Sequence, residues 1–173
     1  MAHGNSHSRH AAARRPPWGF GRRFERELTF SAPAPPERVF PLLCPVLEYD
    51  WIPDWTCVMH YSQSGVAEAD AVFKTKHGLG KTAVWTTIVY DPPRRIEYLI
   101  VVGKKAVIRL AIGLEAEAGG SATRVTWLMR FTSISAFFAP LIAKEFSEAN
   151  FRAMIDARTR QMALYFSGTG PQA

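Results

Sequence analysis

The chain has 173 residues, a formal net charge of +6 and two cysteines. This length fits one domain that buries its own hydrophobic core, and we predict no second domain. No run of about 20 apolar residues is present, so we predict no membrane span. The spacing of Cys44 and Cys57 fits no zinc or redox motif, which indicates free thiols in a reducing, cytoplasmic setting.

The basic excess lies at the amino terminus. Residues 1–24 hold five of the 21 basic residues and no acid, which leaves 16 basic against 15 acidic side chains, a net charge of +1, in the remainder. A folded nucleic-acid binder carries its basic residues as a patch on the fold, so we predict no nucleic-acid partner. Residues 1–23 are predicted to be a disordered basic leader, with a weak anionic contact or a targeting role left open.

A first strand is predicted over residues 24–31, where charged and apolar residues alternate. The proline-rich sequence that follows ends this strand. A short helix then covers residues 37–43, with a proline and an acid at its start. A second short helical segment covers residues 46–51, and a turn follows at residues 52–55.

Six further strands are predicted, separated by short turns that contain Gly, Pro, Ser or Asp. Their bounds are residues 57–62, 71–77, 82–90, 96–102, 106–114 and 123–131. Such short connections predict an antiparallel meander. Both faces of the strand over residues 82–90 are apolar, so its inward face stays open. In the last strand the set predicted to face inward is Val125, Trp127, Met129 and Phe131.

The carboxyl-terminal part shows an uninterrupted helical pattern over residues 138–166. A helix of this length is about 40 Å long, and only a strongly bent sheet would cover it. The order of elements therefore predicts an α+β domain over residues 24–168, followed by a short tail of residues 169–173. A bent sheet around a helix leaves room for an apolar cavity.

Three motifs carry a family resemblance: residues 32–40 (APAPPERVF), 90–96 (YDPPRRI) and 120–127 (GSATRVTW). They resemble motifs of the START-like or SRPBCC superfamily, which includes polyketide cyclases and dehydrases, lipid-transport-like proteins and many bacterial small-ligand binders. The resemblance implies the helix-grip fold, a curved antiparallel seven-stranded sheet around a long C-terminal helix, with two short helices after strand 1. It also implies a cavity between sheet and helix, but no particular activity.

Residues 44–55 are the least generic segment, with two tryptophans, a tyrosine and three acids. In the resembling fold this segment lies at the mouth of the cavity. Trp51 and Trp55 either form an aromatic wall of the pocket or wedge the short helices against the sheet. Glu48 is either a proton donor or acceptor inside the pocket or a solvent-facing residue.

His60 and Tyr61 are neighbours on a strand, so one of them at most points inward. A pocket-facing His60 would bind the ligand or act as a general base. Asn150 either donates a hydrogen bond to the ligand or lies at the boundary of the helix. Arg109 either pairs with an anionic ligand or points to solvent. The other candidate ligand contacts are Trp85, Trp127, Met129 and Phe146.

No metal-ligand spacing, phosphate-binding loop or dinucleotide glycine pattern is present, so we predict no metal and no cofactor. The favoured function is binding of a hydrophobic or aromatic small molecule, lipid- or polyketide-like, in the internal cavity. The alternative is a cofactor-independent cyclase, aromatase or dehydratase that uses Glu48 or His60. Either function fits a monomer or a homodimer.

Overall fold

A computed structural model of the protein describes residues 23–77 and 81–169. The predicted leader lies outside these residues, except for Arg23, which begins the first strand. All but residue 169 of the predicted tail also lies outside them.

The strands of the described chain form one antiparallel sheet of seven, in the order β1-β7-β6-β5-β4-β3-β2. The predicted meander is confirmed, and β1 pairs with the last strand, so the first and last strands are neighbours. The bounds are β1 (Arg23–Ala32), β2 (Cys57–Tyr61), β3 (Val72–His77), β4 (Lys81–Asp91), β5 (Arg95–Val102), β6 (Ala106–Ala116) and β7 (Thr123–Ser133).

Short helical elements connect β1 to β2, as predicted. Helix α1 (Pro36–Val39) continues into a 3₁₀ turn, Phe40–Leu43, and a second 3₁₀ turn, Leu47–Asp50, follows. Proline opens α1, where the missing N–H costs nothing because the first turn of a helix has no intrahelical acceptor for it. The carboxyl-terminal helices are α2 (Ala139–Glu145) and α3 (Glu148–Phe166).

The prediction of one uninterrupted helix over residues 138–166 is wrong, because the helix breaks at Phe146 and Ser147. The Ser147 hydroxyl caps α3 by accepting a hydrogen bond from the N–H of Asn150 at 3.4 Å. The Asn150 amide in turn donates to the carbonyls of Lys144 and Glu145, at 3.1 Å each. The side chain of Asn150 therefore satisfies carbonyls that would otherwise need a further helical turn.

The core lies between the concave face of the sheet and the helices. The inward set predicted for β7, from Val125 to Phe131, is buried. On β4, Ala83, Trp85 and Thr87 are buried and form the inward face, which periodicity left open. This alternation holds as far as Thr87, where the pairing of β4 with β5 shifts register. Helix α3 packs against β1. It buries Phe151, Ile155 and Met162, whereas its polar stripe is exposed: Glu148, Arg152, Asp156 and Arg160.

The outer face of the sheet holds a buried carboxylate. Glu97 is fully buried and pairs with Arg95 and with Arg109, the latter at 2.6 Å. Arg109 therefore takes the outward of its two predicted orientations. Strand alternation explains this, because its neighbours Ile108 and Leu110 face the core.

We expect Glu97→Gln to lower the free energy of unfolding by about 2 kcal/mol, because it leaves neighbouring arginines without their carboxylate. Urea denaturation measures the change. Glu115→Gln is the matched control, since Glu115 is an exposed glutamate on the neighbouring strand β6. Equal effects of the two substitutions would contradict a stabilising role for the buried pair.

Candidate functional site

A cavity of about 320 Å³ lies between the concave face of the sheet and the helical elements. Its floor comes from alternate side chains of β4 to β7, because every second residue of a strand points to the same face. Cross-strand neighbours supply matching positions, such as Trp127 opposite Ile112 and Met129 opposite Leu110. Residues of α2, α3 and the segment before β2 complete the wall.

Aromatic rings form one side of this cavity. The Trp85 ring stacks on Phe73 at 5.4 Å between centroids and meets Trp55 and Tyr98 edge to face. The Trp85 indole donates to the Thr75 hydroxyl at 2.8 Å, and the Trp55 indole donates to the carbonyl of Pro45 at 2.8 Å. These hydrogen bonds fix both indoles, so the two residues offer ring surface to the cavity.

Trp127 differs from these two tryptophans. Its side chain lines the cavity and is 6% exposed, and its indole N–H has no hydrogen-bond partner among the described residues. A buried donor without a partner costs free energy, and in native structures such groups are rare. The indole N–H of Trp127, in a residue of the cavity wall, is therefore a buried hydrogen-bond donor that the described residues leave unsatisfied.

Two ionisable side chains, Glu48 and Arg158, form a polar part of the wall. Glu48 comes from the second 3₁₀ turn and Arg158 from α3, and both line the cavity. Burial raises the pKa of Glu48 to about 8, although the positive charge of Arg158 opposes this rise. Burial also lowers the pKa of Arg158, against the effect of Glu48. At neutral pH the Glu48 carboxyl is therefore mostly protonated.

Neighbouring groups of Glu48 stay neutral at that pH. Burial, reinforced by the charge of Glu48, raises the pKa of Tyr98 well above its ordinary value, and the Tyr98 hydroxyl donates to the carbonyl of Leu43 at 2.8 Å. Burial first, and then the charges of Glu48 and Cys44, raise the pKa of Cys57 to about 11. Neither side chain supplies an anion to the cavity, whereas Glu48 exchanges its proton close to neutrality.

The structure brings together six of the residues singled out from the sequence. Phe146, between α2 and α3, also packs on Phe131 at 4.3 Å between ring centroids. Whether these residues contact a ligand remains a prediction. The six residues in the cavity wall are Glu48, Trp55, Trp85, Trp127, Met129 and Phe146.

Three other predicted contacts lie outside the cavity wall. Trp51 is fully buried, its indole donates to the carbonyl of Leu42 at 2.8 Å, and the Arg158 guanidinium lies 5.9 Å from its ring centre. His60 is exposed on the edge strand β2, at a register shift. Asn150 is exposed and caps the end of α2. This placement gives no support to the predicted ligand contacts of these three residues.

Sequence reasoning missed Arg158, although its spacing carried a signal. Arg158 follows the buried Ile155 by three residues and precedes the buried Met162 by four, which places it on the inner face of α3. A charge at such a position needs a partner or a polar ligand. The Trp51 ring packs beside the Arg158 guanidinium and helps to position it. Trp51 does not itself line the cavity.

Within residues 23–77 and 81–169, no group of three or more His, Cys, Asp or Glu side chains is placed to hold a metal ion. In the same part of the chain, no helix has both the length and the apolar character that crossing a bilayer requires.

Solved structures share this fold at low sequence identity. A protein from Chromobacterium violaceum is 16% identical, with a TM-score of 0.58, and the match covers 86% of this chain and 98% of that one. Norcoclaurine synthase from Thalictrum flavum, solved in complex with dopamine and hydroxybenzaldehyde, is 11% identical, with a TM-score of 0.62 and coverages of 87% and 91%. CalU16 from Micromonospora echinospora is 15% identical, with a TM-score of 0.52 and coverages of 88% and 83%.

At these identities the likenesses show the fold alone, and no curated protein matches the chain. The family described as polyketide cyclase / dehydrase and lipid transport matches over residues 23–166, which is most of the sequence. The helix-grip architecture, the cavity beneath its helices and this match agree, and the chain belongs to the polyketide cyclase / dehydrase and lipid transport family.

Proposed function

We propose that this protein binds a small apolar or aromatic molecule that carries an oxygen acceptor, inside the cavity between sheet and helices. The observation that carries the proposal is the indole N–H of Trp127, which is buried in the wall of a largely apolar cavity and has no hydrogen-bond partner among the described residues. Apolar walls supply affinity without direction, whereas one buried donor selects a ligand that places an oxygen against it.

The size of the cavity limits the ligand. A volume of about 320 Å³ lies at the lower end of the range for small-molecule sites, roughly 300–1,000 Å³. A compact ring system fits this volume better than a lipid with two acyl chains does. Burial of about 300 Å² of apolar ligand surface contributes about 7 kcal/mol before the cost of association, so one or two polar contacts give micromolar binding.

The binding proposal predicts a selective effect of Trp127→Phe, which keeps an aromatic ring but removes the N–H. We expect affinity for 1-naphthaldehyde, which offers a carbonyl acceptor, to fall about fivefold, and affinity for 1-methylnaphthalene to change less than about twofold. Displacement of a fluorescent naphthalene sulfonate measures both affinities.

Trp85→Phe is the matched control, because the Trp85 indole already donates to Thr75 and the substitution should affect both compounds alike. Failure of both compounds to bind wild-type protein would contradict the binding function. Equal losses for the two compounds in Trp127→Phe would contradict the role of its N–H and leave the binding function standing.

A second candidate function is catalysis on a carbonyl compound, and the observation in its favour is the Glu48 carboxyl. With a pKa of about 8, it is able to give a proton to a ligand oxygen and to take one back near neutral pH. The positive charge of Arg158 would stabilise an enolate or the Glu48 carboxylate formed during such a step. These two groups support a cofactor-independent cyclase, aromatase or dehydratase.

If catalysis occurs, Glu48→Gln should lower turnover of an added poly-β-ketone at least about 100-fold, because the amide cannot transfer the proton. The wild-type rate should change with pH around the pKa of Glu48, about 8. Product formation followed by mass spectrometry measures both effects. His60→Ala is the control, since His60 lies on the exposed edge strand; full activity in Glu48→Gln would exclude Glu48 as the proton donor.

The same carboxyl predicts a pH dependence of stability. Between its ordinary pKa of 4.5 and about 8, the folded chain holds a proton on Glu48 that the unfolded chain has released. The contribution of Glu48 to the free energy of unfolding is therefore full below pH 4.5 and is lost as pH rises through about 8. Urea denaturation at several pH values should show that the free energy of unfolding declines less with rising pH in Glu48→Gln than in the wild type. Identical dependence on pH in the two proteins would contradict the raised pKa.

A further inference from the structure

Three apolar side chains are exposed at one end of the cavity. Phe137 is 85% exposed, Ile134 54% and Leu141 49%. Phe137 lies in the turn immediately before α2, and Leu141 lies in the first turn of that helix. We name Ile134, Phe137 and Leu141 the apolar rim. Leu141 also lines the cavity, which makes the apolar rim continuous with the cavity wall.

Three lysines lie beside the apolar rim. The N–H of Ile134 donates to the carbonyl of Lys105 at 3.0 Å, so the turn between β5 and β6, with Lys104 and Lys105, lies beside the rim. The ammonium group of Lys105 lies 5.0 Å from the ring centre of Phe138, whose ring contacts that of Phe137. On α2, Lys144 is exposed and follows Leu141 by three residues, on the same face.

The charge at this opening is positive. Glu145 also lines this part of the cavity and offsets one of the three lysine charges, Lys104, Lys105 and Lys144. Exposed aromatic and aliphatic groups beside three lysines match the chemistry of an anionic bilayer surface. The apolar groups enter the acyl boundary, and the ammonium groups contact lipid phosphates.

We propose that the apolar rim and its lysines dock this protein reversibly on an anionic lipid bilayer. The size of the patch favours a bilayer over a protein partner, because a stable protein interface buries roughly 800 Å² on each side, more than three side chains provide. Docking places the open end of the cavity against the bilayer. An apolar ligand then passes between bilayer and cavity without crossing water, a consequence that rests on the proposed binding function.

Flotation of the full chain with vesicles tests the docking. One set of vesicles contains phosphatidylcholine alone, and a second contains about 30% phosphatidylglycerol, at low and at high salt. We expect binding to the anionic vesicles that decreases with salt. The double variant Phe137→Ser/Leu141→Ser should bind about tenfold more weakly. Leu164→Ser is the matched control, because Leu164 is 46% exposed on α3 away from the opening.

Charge reversal gives an independent readout. Lys104→Glu combined with Lys144→Glu should lower binding to anionic vesicles about tenfold, whereas reversal of the exposed Lys74 and Lys76 on β3 should change it little. All variants keep the arginines of residues 1–22, so vesicle binding through that segment would survive in every variant. Such survival would overturn the proposal.

Two further outcomes would also overturn it. The first is equal binding to anionic and neutral vesicles. The second is an absence of vesicle binding together with a wild-type dimer, seen by size-exclusion chromatography, that becomes a monomer in Phe137→Ser/Leu141→Ser. The apolar rim would then contact a second copy of the chain. Circular dichroism and urea denaturation verify that the variants are folded. Failure of ligand binding alone, with docking intact, would contradict only the proposed function.

Discussion

The break between α2 and α3 is the constraint on which the cavity depends. Ser147 and Asn150 end one helix and start the next, because their side chains satisfy the backbone groups that a continuous helix would pair. Helix α3 then packs along β1, while residues of α2 line the cavity. Both helices contribute to the cavity wall, through residues such as Leu141 and Arg158. The space between sheet and helices is therefore bounded by both helices, and its lining reaches solvent at the exposed Leu141.

Two glutamates, Glu97 and Glu48, have different roles because their surroundings differ. Glu97 contacts two arginines on the outer face of the sheet, where charge pairing holds strands together. Glu48 faces the cavity, where burial outweighs the attraction of Arg158 and raises its pKa to about 8. Glu97 is thus an ion-pair partner on the outer face, whereas Glu48 offers an exchangeable proton to the cavity, because there burial raises its pKa more than Arg158 lowers it.

Local patterns predicted the strands and much of the cavity wall. Alternation along β7 identified Trp127 and Met129 as inward residues, because side chains of a strand point alternately to opposite faces. Local patterns left the directions of Trp51 and His60 open. Trp51 lies at the end of a 3₁₀ turn, and its direction depends on the distant carbonyl of Leu42 that its indole meets. His60 lies at a register shift in an edge strand, where alternation is interrupted.

The sequence by itself determined the order of the elements, the meander and the inward face of β7, because these follow from local periodicity and turn chemistry. Only the tertiary structure decided that Arg158 of α3 lies close enough to Glu48 of a 3₁₀ turn to affect its pKa, and that the N–H of Trp127 has no partner among the described residues. Hydrogen bonds and desolvation depend on atoms that are distant along the chain, and no local pattern encodes which of those atoms meet.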